Sequence, residues 1–117
     1  MSIGRAVPNL FTKDVEAATA FYTDFLGFDV GMELPGLTTF VAPGVPSAQI
    51  SIGHAYGLDE ANVSVGVDNV DELYAQARDR GLEIVYDIRD EPWGVRRFFV
   101  RAPGGHVINL AQHLEAG

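Results

Sequence analysis

The sequence predicts an α+β fold in which two β-α-β-β-β modules form a mixed sheet around a concave groove. Three observations lead there. First, the chain repeats itself: DVEAATAFYTDFLGFDV (Asp14–Val30) is echoed by NVDELYAQARDRGLEIV (Asn69–Val85), and FVAPGVPSAQISIGH (Phe40–His54) by FVRAPGGHVINLAQH (Phe99–His113). Second, the first echo has helical spacing in both copies. Third, the stretches around it are short apolar runs broken by Pro-Gly and Gly-Gly turns. The repeat spacing is about 55 residues, as Val15 answers Val70 and Gly27 answers Gly81. A half of that size buries too little surface to be stable alone, so both halves are expected to share one domain over residues 1–117. The modules are placed at 1–54 and 62–117, with 55–61 as linker.

The elements follow in order. Ala6 to Phe11 is apolar enough for a strand, and Asp14 offers a side-chain oxygen to the first amides of a helix. Ala17, Ala18, Phe21, Tyr22 and Phe25 give that helix its apolar surface, and Gly27 ends it. Strands are expected at Phe28–Leu34, Leu37–Ala42 and Ala48–Gly53, turned at Pro35-Gly36 and Pro43-Gly44. In the second half a strand at Asn62–Val67 precedes a helix capped by Asp68 or Asn69. Val70, Leu73, Tyr74 and Ala77 recur along it, and Gly81 supplies its left-handed stop. The last strands are Leu82–Ile88, Val95–Arg101 and His106–Ala111.

Composition narrows the function. A net charge of −8, from 16 acidic and 8 basic residues, repels phosphate backbones, so nucleic acid is not an expected partner. The same field favours a cationic small molecule, although an acidic surface also serves solubility. No apolar run approaches the roughly 18 residues that cross a membrane. MSIGRAVPNL lacks a basic stretch followed by an apolar core, so a cytoplasmic protein without a membrane partner is expected. With 0 cysteines there are no disulfides, thiolate metal sites or cysteine nucleophile. His54, His106 and His113 fall at strand ends and turns, where a solvated or locally bonded role is the default, and no Ser-His-acid set can be assembled by spacing.

The element order, the helix phrase DVEAATAFYTDFLGF and the ending PGGHVINL resemble the vicinal oxygen chelate superfamily. That superfamily contains glyoxalase I, extradiol dioxygenases, fosfomycin-inactivating enzymes and bleomycin-binding resistance proteins. Ala6–Pro8 (AVP), Asp71–Ala75 (DELYA) and Glu91–Gly94 (EPWG) are most similar to the bleomycin resistance branch. The superfamily's enzymes hold a divalent metal on inward side chains from four strands. Here those positions are counted as Val7, Ser51, Asn62 and Asn109, with Gln49 or His54 in place of Ser51 if the register is shifted. Valine has no lone pair to give, and neutral oxygens leave a dication's charge uncompensated. No tightly bound metal, no cofactor and no catalytic residue are therefore expected.

Binding is left as the expected activity, and the resemblance assigns its parts. Trp93 sits in DEPWGVRRFF, where Pro92 and Gly94 fix a bend, and its flat face suits stacking on a planar ring or a cation. In the resembled family the tryptophan of this motif stacks on the bithiazole tail of bleomycin; the alternative is packing onto the sheet or a dimer partner. Relatives clamp the drug with an aromatic residue where this chain has Leu37, and Phe40 takes over if the loop register differs. Ser51, Asn62 and Asn109 are expected as polar anchors. Asp29 and Glu33, with Asp87, Asp90 and Glu91, form an acidic rim for a cationic tail or act as strand-edge solubility charges. Pro8 interrupts a strand ladder, and in resembling proteins such a proline accompanies exchange of the amino-terminal strand in a homodimer. The expected function is sequestration of a bleomycin-type glycopeptide or related planar, cationic antibiotic. The alternatives are an enzyme of the same superfamily and a small-molecule sensor.

Overall fold

In the computed structural model, which describes residues 3–53 and 60–114, two helices accompany eight strands in mixed parallel and antiparallel pairing. The order is β1 (Ile3–Phe11), α1 (Val15–Ala20), β2 (Asp29–Leu34), β3 (Leu37–Ala42), β4 (Val45–Gly53), β5 (Val63–Val67), α2 (Val70–Asp79), β6 (Ile84–Glu91), β7 (Val95–Arg101) and β8 (Val107–His113). This is the predicted α+β class. Contacts divide the chain into two units: a first unit from Ala6 through β4, and a second comprising β5 to β8 together with Ile3–Arg5 of β1. The strand order is β2-β3-β4-β1 in the first and β6-β7-β8-β5 in the second. In each, the strand before the helix runs parallel to the last strand and the other neighbours are antiparallel. Among the described residues no helix is long and apolar enough to cross a membrane.

Local chemistry explains the helices. The Asp14 carboxylate accepts from the Ala17 amide at 3.0 Å and opens α1. After Ala20 the helix widens into a π turn over Phe21–Phe25, where the Leu26 amide reaches the Phe21 carbonyl, and Gly27 leaves it with φ 87°. The second helix is capped differently from the expectation. Asn69 stands at the N-cap, but its side chain makes no capping bond. Gln112, on β8, instead accepts from the Val70 amide at 2.9 Å and ties the helix start to the sheet. Gly81 ends this helix at φ 69°.

Each helix covers one face of its own strands. Val70 and Ala77 of α2 form a buried core with Val67, Phe98 and Val100, and Tyr74 meets Phe98 edge-on at 5.2 Å. In the first unit Tyr22 stacks on Phe40 at 5.4 Å, and Phe40 is 0% exposed. The expected place of Phe40 in a ligand wall is thereby corrected. Strand register gives the reason: Thr39 lies opposite Ser51, whereas in the second unit it is Phe99 that lies opposite Asn109. Phe40 therefore corresponds to Val100, on the helix face, and not to Phe99. One residue of offset moves a side chain to the other face. Phe99 joins Val107 and Ala61, the latter within the expected linker, in a smaller cluster. His54 and residues 55–59 lie outside the described residues.

Two measurements test this packing. Phe98→Ala removes a side chain that is 0% exposed and is expected to lower unfolding free energy by about 3–5 kcal/mol in urea titrations. Tyr74 donates to the Asp87 carboxylate, which with the Ile88 amide holds the Asp87 carboxyl below the usual carboxylate range. A depressed folded-state pKa contributes stability above the unfolded carboxylate pKa and loses it as pH falls through the folded value. Tyr74→Phe is expected to raise the Asp87 titration midpoint, read by NMR, so that the acid-side loss becomes smaller and is complete at higher pH.

Candidate functional site

The Trp93 turn joins β6 to β7. Gly94 adopts φ 87° and its amide bonds to the Glu91 carbonyl at 3.1 Å, while the Leu114 amide bonds to the Gly94 carbonyl at 2.9 Å. This holds the Trp93 ring 50% exposed, as the bend in the sequence suggested. One feature was missed from sequence: the Arg97 guanidinium lies 5.0 Å from the centroid of the Trp93 ring, 5.2 Å from Tyr86 and 4.9 Å from Phe99. The alternation Val95, Arg97, Phe99 along β7 was the available signal.

Glu91 is not the solvent-exposed rim carboxylate that was expected. It is 6% exposed and accepts from Arg97 Nε at 2.9 Å, Arg97 Nη2 at 2.8 Å and Tyr86 Oη at 2.9 Å, with Arg89 Nε at 2.8 Å. Arg89 stands directly opposite Arg97 across the ladder. Tyr86 and Arg89 pair with Phe99 and Arg97, three residues apart on β6 but two on β7, so an irregularity in β6 brings both to one face.

The rest of the expected acidic rim disperses. Asp90 accepts from Arg96 Nη1 at 2.9 Å, and Arg96 Nε reaches Asp71 of α2 at 2.9 Å, so Asp90 turns toward the helix side while Glu91 turns away. Asp87 is likewise engaged by Tyr74 of α2. On β2, Asp29 pairs with Val41 and Glu33 with Thr38, which lie on opposite faces of β3. The register shift between Val30 and Met32 separates two carboxylates that plain alternation would place together.

Beside the Arg97 row lies a cleft of about 550 Å³ in the second unit. The ladder runs from Arg97 to Ala111 to Gly66, and these two small residues line the cleft with Arg5, Asp68 and His113. A Cβ at Gly66 would come within 2.8 Å of Arg5 Cγ, so glycine is what allows the Arg5 stem to lie across the strand. Arg5 Nη2 meets His113 Nε2 at 3.1 Å. His113 is thus hydrogen-bonded to a distant part of the chain, not locally. No sequence signal pointed to Arg5, because the pairing spans 108 positions of chain.

The polar anchors resolve into neutral pairs. Ser51 is buried and its hydroxyl bonds that of Thr39 at 2.8 Å. Asn109 is buried, donates to the Ser64 hydroxyl at 3.1 Å, and leaves Oδ1 buried without a partner among the described residues. Asn62 serves backbone: its Oδ1 accepts from the Val107 amide at 2.8 Å. Asn9 and Ser64 therefore stand beside Ser51 and Asn109 where Val7 and Asn62 had been counted. Val7 is buried in β1. Leu37 is half-buried, on the face of β3 that carries Thr39. Pro8, which has no amide to donate, immediately precedes Asn9, where pairing of β1 with β4 begins.

These donors do not fit a divalent ion. Hydroxyls and amides are neutral, and the Thr39 and Ser51 hydroxyls already bond one another. Among the described residues, no group of three or more His, Asp or Glu is placed to hold a metal.

Residues 2–110 match the family model of the Glyoxalase/Bleomycin resistance protein/Dioxygenase superfamily. Among solved structures the chain is similar to a superfamily member from Vibrio splendidus 12B01, at 20% sequence identity and a TM-score of 0.72, over 95% of this chain and 99% of that one. It is also similar to methylmalonyl-CoA epimerase from Mycobacterium tuberculosis, at 21% identity and a TM-score of 0.70, over 97% and 88% of the two chains. A methylmalonyl-CoA epimerase from Streptomyces coelicolor matches at 20% identity and a TM-score of 0.71, over 97% and 100%. At these identities the likeness is one of fold. No curated protein matches the chain.

Two outcomes are expected from this geometry. Glu91→Gln leaves two guanidiniums without their shared counter-charge. It should destabilise the fold by about 2–3 kcal/mol in urea titrations, less than for a fully buried pair because the Arg89 side chain is 61% exposed. Isothermal titration with zinc, nickel or manganese should give no 1:1 submicromolar isotherm.

Proposed function

We propose that this chain, which belongs to the glyoxalase/bleomycin resistance protein/dioxygenase superfamily, holds a planar small molecule by stacking and sequesters it without chemical change. The observation that carries this reading is the Trp93 ring, half exposed on a turn fixed at both ends and backed by Arg97. A ring already held in place loses little conformational freedom when a planar compound stacks on it. The buried, unpartnered Asn109 Oδ1 supports the same reading, since such an acceptor gains from a donor supplied by a ligand or water. On the first unit, Leu37, Ser51 and Asp29 share the face opposite α1 and offer apolar, hydroxyl and carboxylate contact. A bleomycin-type glycopeptide is the compound class that the resemblance names, and protection from it would follow by mass action when protein exceeds drug. The working form is a homodimer in the cytoplasm, with Pro8 marking where the amino-terminal strand leaves the β4 ladder.

Bleomycins and other planar antibiotics should quench the fluorescence of the single tryptophan. Trp93→Ala, followed by isothermal titration because the fluorophore is gone, should weaken binding about tenfold or more with the circular dichroism spectrum unchanged. Unchanged affinity would leave Trp93 structural, and conversion of any compound by purified protein would replace sequestration with catalysis. Sedimentation equilibrium at micromolar concentration should show a dimer; a monomer removes the strand-exchange arm.

A further inference from the structure

We propose that the compound stacked at Trp93 is an anion, an aromatic carboxylate or comparably acidic planar molecule, selected by the Arg89–Glu91–Arg97 triad. This rests on the stacking reading above and, in the sign of the ligand's charge, departs from the cationic, bleomycin-type compound named there. The chain as a whole carries −8, yet at this turn two guanidiniums share one carboxylate, which leaves a local charge of 2 − 1 = +1. A buried carboxylate needs the charge of one cation. Arg97, with two bonds to Glu91 Oε2, supplies it, and Tyr86 adds a third bond to the same oxygen. Arg89 Nε holds Oε1, so its bond is used while its charge is in excess. Like charges placed directly opposite on neighbouring strands repel, and Arg89 and Arg97 occupy such a pair.

The surplus is also accessible. Arg89 meets Glu91 through Nε, and the terminal nitrogens belong to a side chain that is 61% exposed. A guanidinium so held presents a planar fork suited to two parallel hydrogen bonds with a carboxylate. Arg97, by contrast, is spread against the rings of Trp93, Tyr86 and Phe99 and serves as a backing layer. A planar acid can therefore lay its ring on Trp93 and direct its carboxylate to Arg89. The neighbouring cleft does not reverse the balance: on the same face Arg5 adds a positive charge and Asp68 a negative one. A cationic compound would meet like charge at the triad, because Glu91 is occupied and Asp90 turns to the helix side, where it shares Arg96 with Asp71.

The test uses three probes with one ring system: 2-naphthoate, 2-naphthylmethanol and 2-naphthylmethylammonium, titrated calorimetrically into the full chain at low and high salt. The naphthoate is expected to bind about tenfold tighter than the other two, with affinity falling as salt rises. Arg89→Gln should bring the naphthoate to the alcohol's affinity without changing the circular dichroism spectrum, since the glutamine amide nitrogen takes the place of Arg89 Nε at Glu91 Oε1 while Arg97 and Tyr86 stay on Oε2. Equal binding of all three probes overturns the charge selection and leaves the stacking reading standing. Tightest binding by the ammonium compound, or naphthoate affinity unchanged in Arg89→Gln, also overturns it. Failure of all three to bind, together with absence of quenching by any planar antibiotic, overturns both.

Discussion

Side chains alternate across each strand, so every position in these two units belongs either to a face packed on a helix or to the face opposite it, and local irregularities in the ladder decide which. In β2 the register shift between Val30 and Met32 sends Asp29 and Glu33 to different faces. In β6 the shift between Tyr86 and Arg89 does the reverse, gathering Tyr86, Arg89 and Glu91 on one face against Arg97 and Phe99. Had β6 been regular, Tyr86 and Arg89 would face opposite ways and the two arginines would lose either the ring or the carboxylate. The charged centre of the second unit is thus a product of strand geometry as much as of composition.

Glu91 shows how such a centre is kept stable. A carboxylate at 6% exposure is costly unless paired and hydrogen-bonded, and here two arginines and a tyrosine hydroxyl do both. The arrangement also fixes the wall beside Trp93, because Arg97 is held at one edge by Glu91 and at its faces by aromatic rings. Rigidity of this kind suits a binding surface, where each side chain that need not be ordered on contact lessens the entropic penalty of association.

What could be read in the sequence was the part governed by local rules. The repeat, the Asp14 cap, the stops at Gly27 and Gly81, and strands such as Leu37–Ala42 and Val95–Arg101 follow from short-range preferences and appear as expected. The half-exposed Trp93 on its Pro92–Gly94 bend also follows. What escaped depends on register and long-range partners. Phe40 was matched to Phe99 by the string FV, but the hairpins differ in length, and the ladder aligns it with Val100. Gln112 caps a helix 42 positions earlier, and Arg5 crosses Gly66 to meet His113, relations that no window of sequence contains. The acidic rim was inferred from carboxylates near in sequence, while Arg96 and Arg97, adjacent in the chain, divide Asp90 and Glu91 between two faces.

The distribution of polar groups and charge bears on recognition. On the faces opposite the helices, the hydroxyls of Thr39 and Ser51 bond to each other, Asn109 bonds Ser64, and Glu91 is enclosed by arginines. On the second unit the Trp93 ring and the Arg89 guanidinium stay exposed and offer a flat apolar surface beside a fixed positive charge. A surface furnished in this way discriminates among ligands by shape and sign.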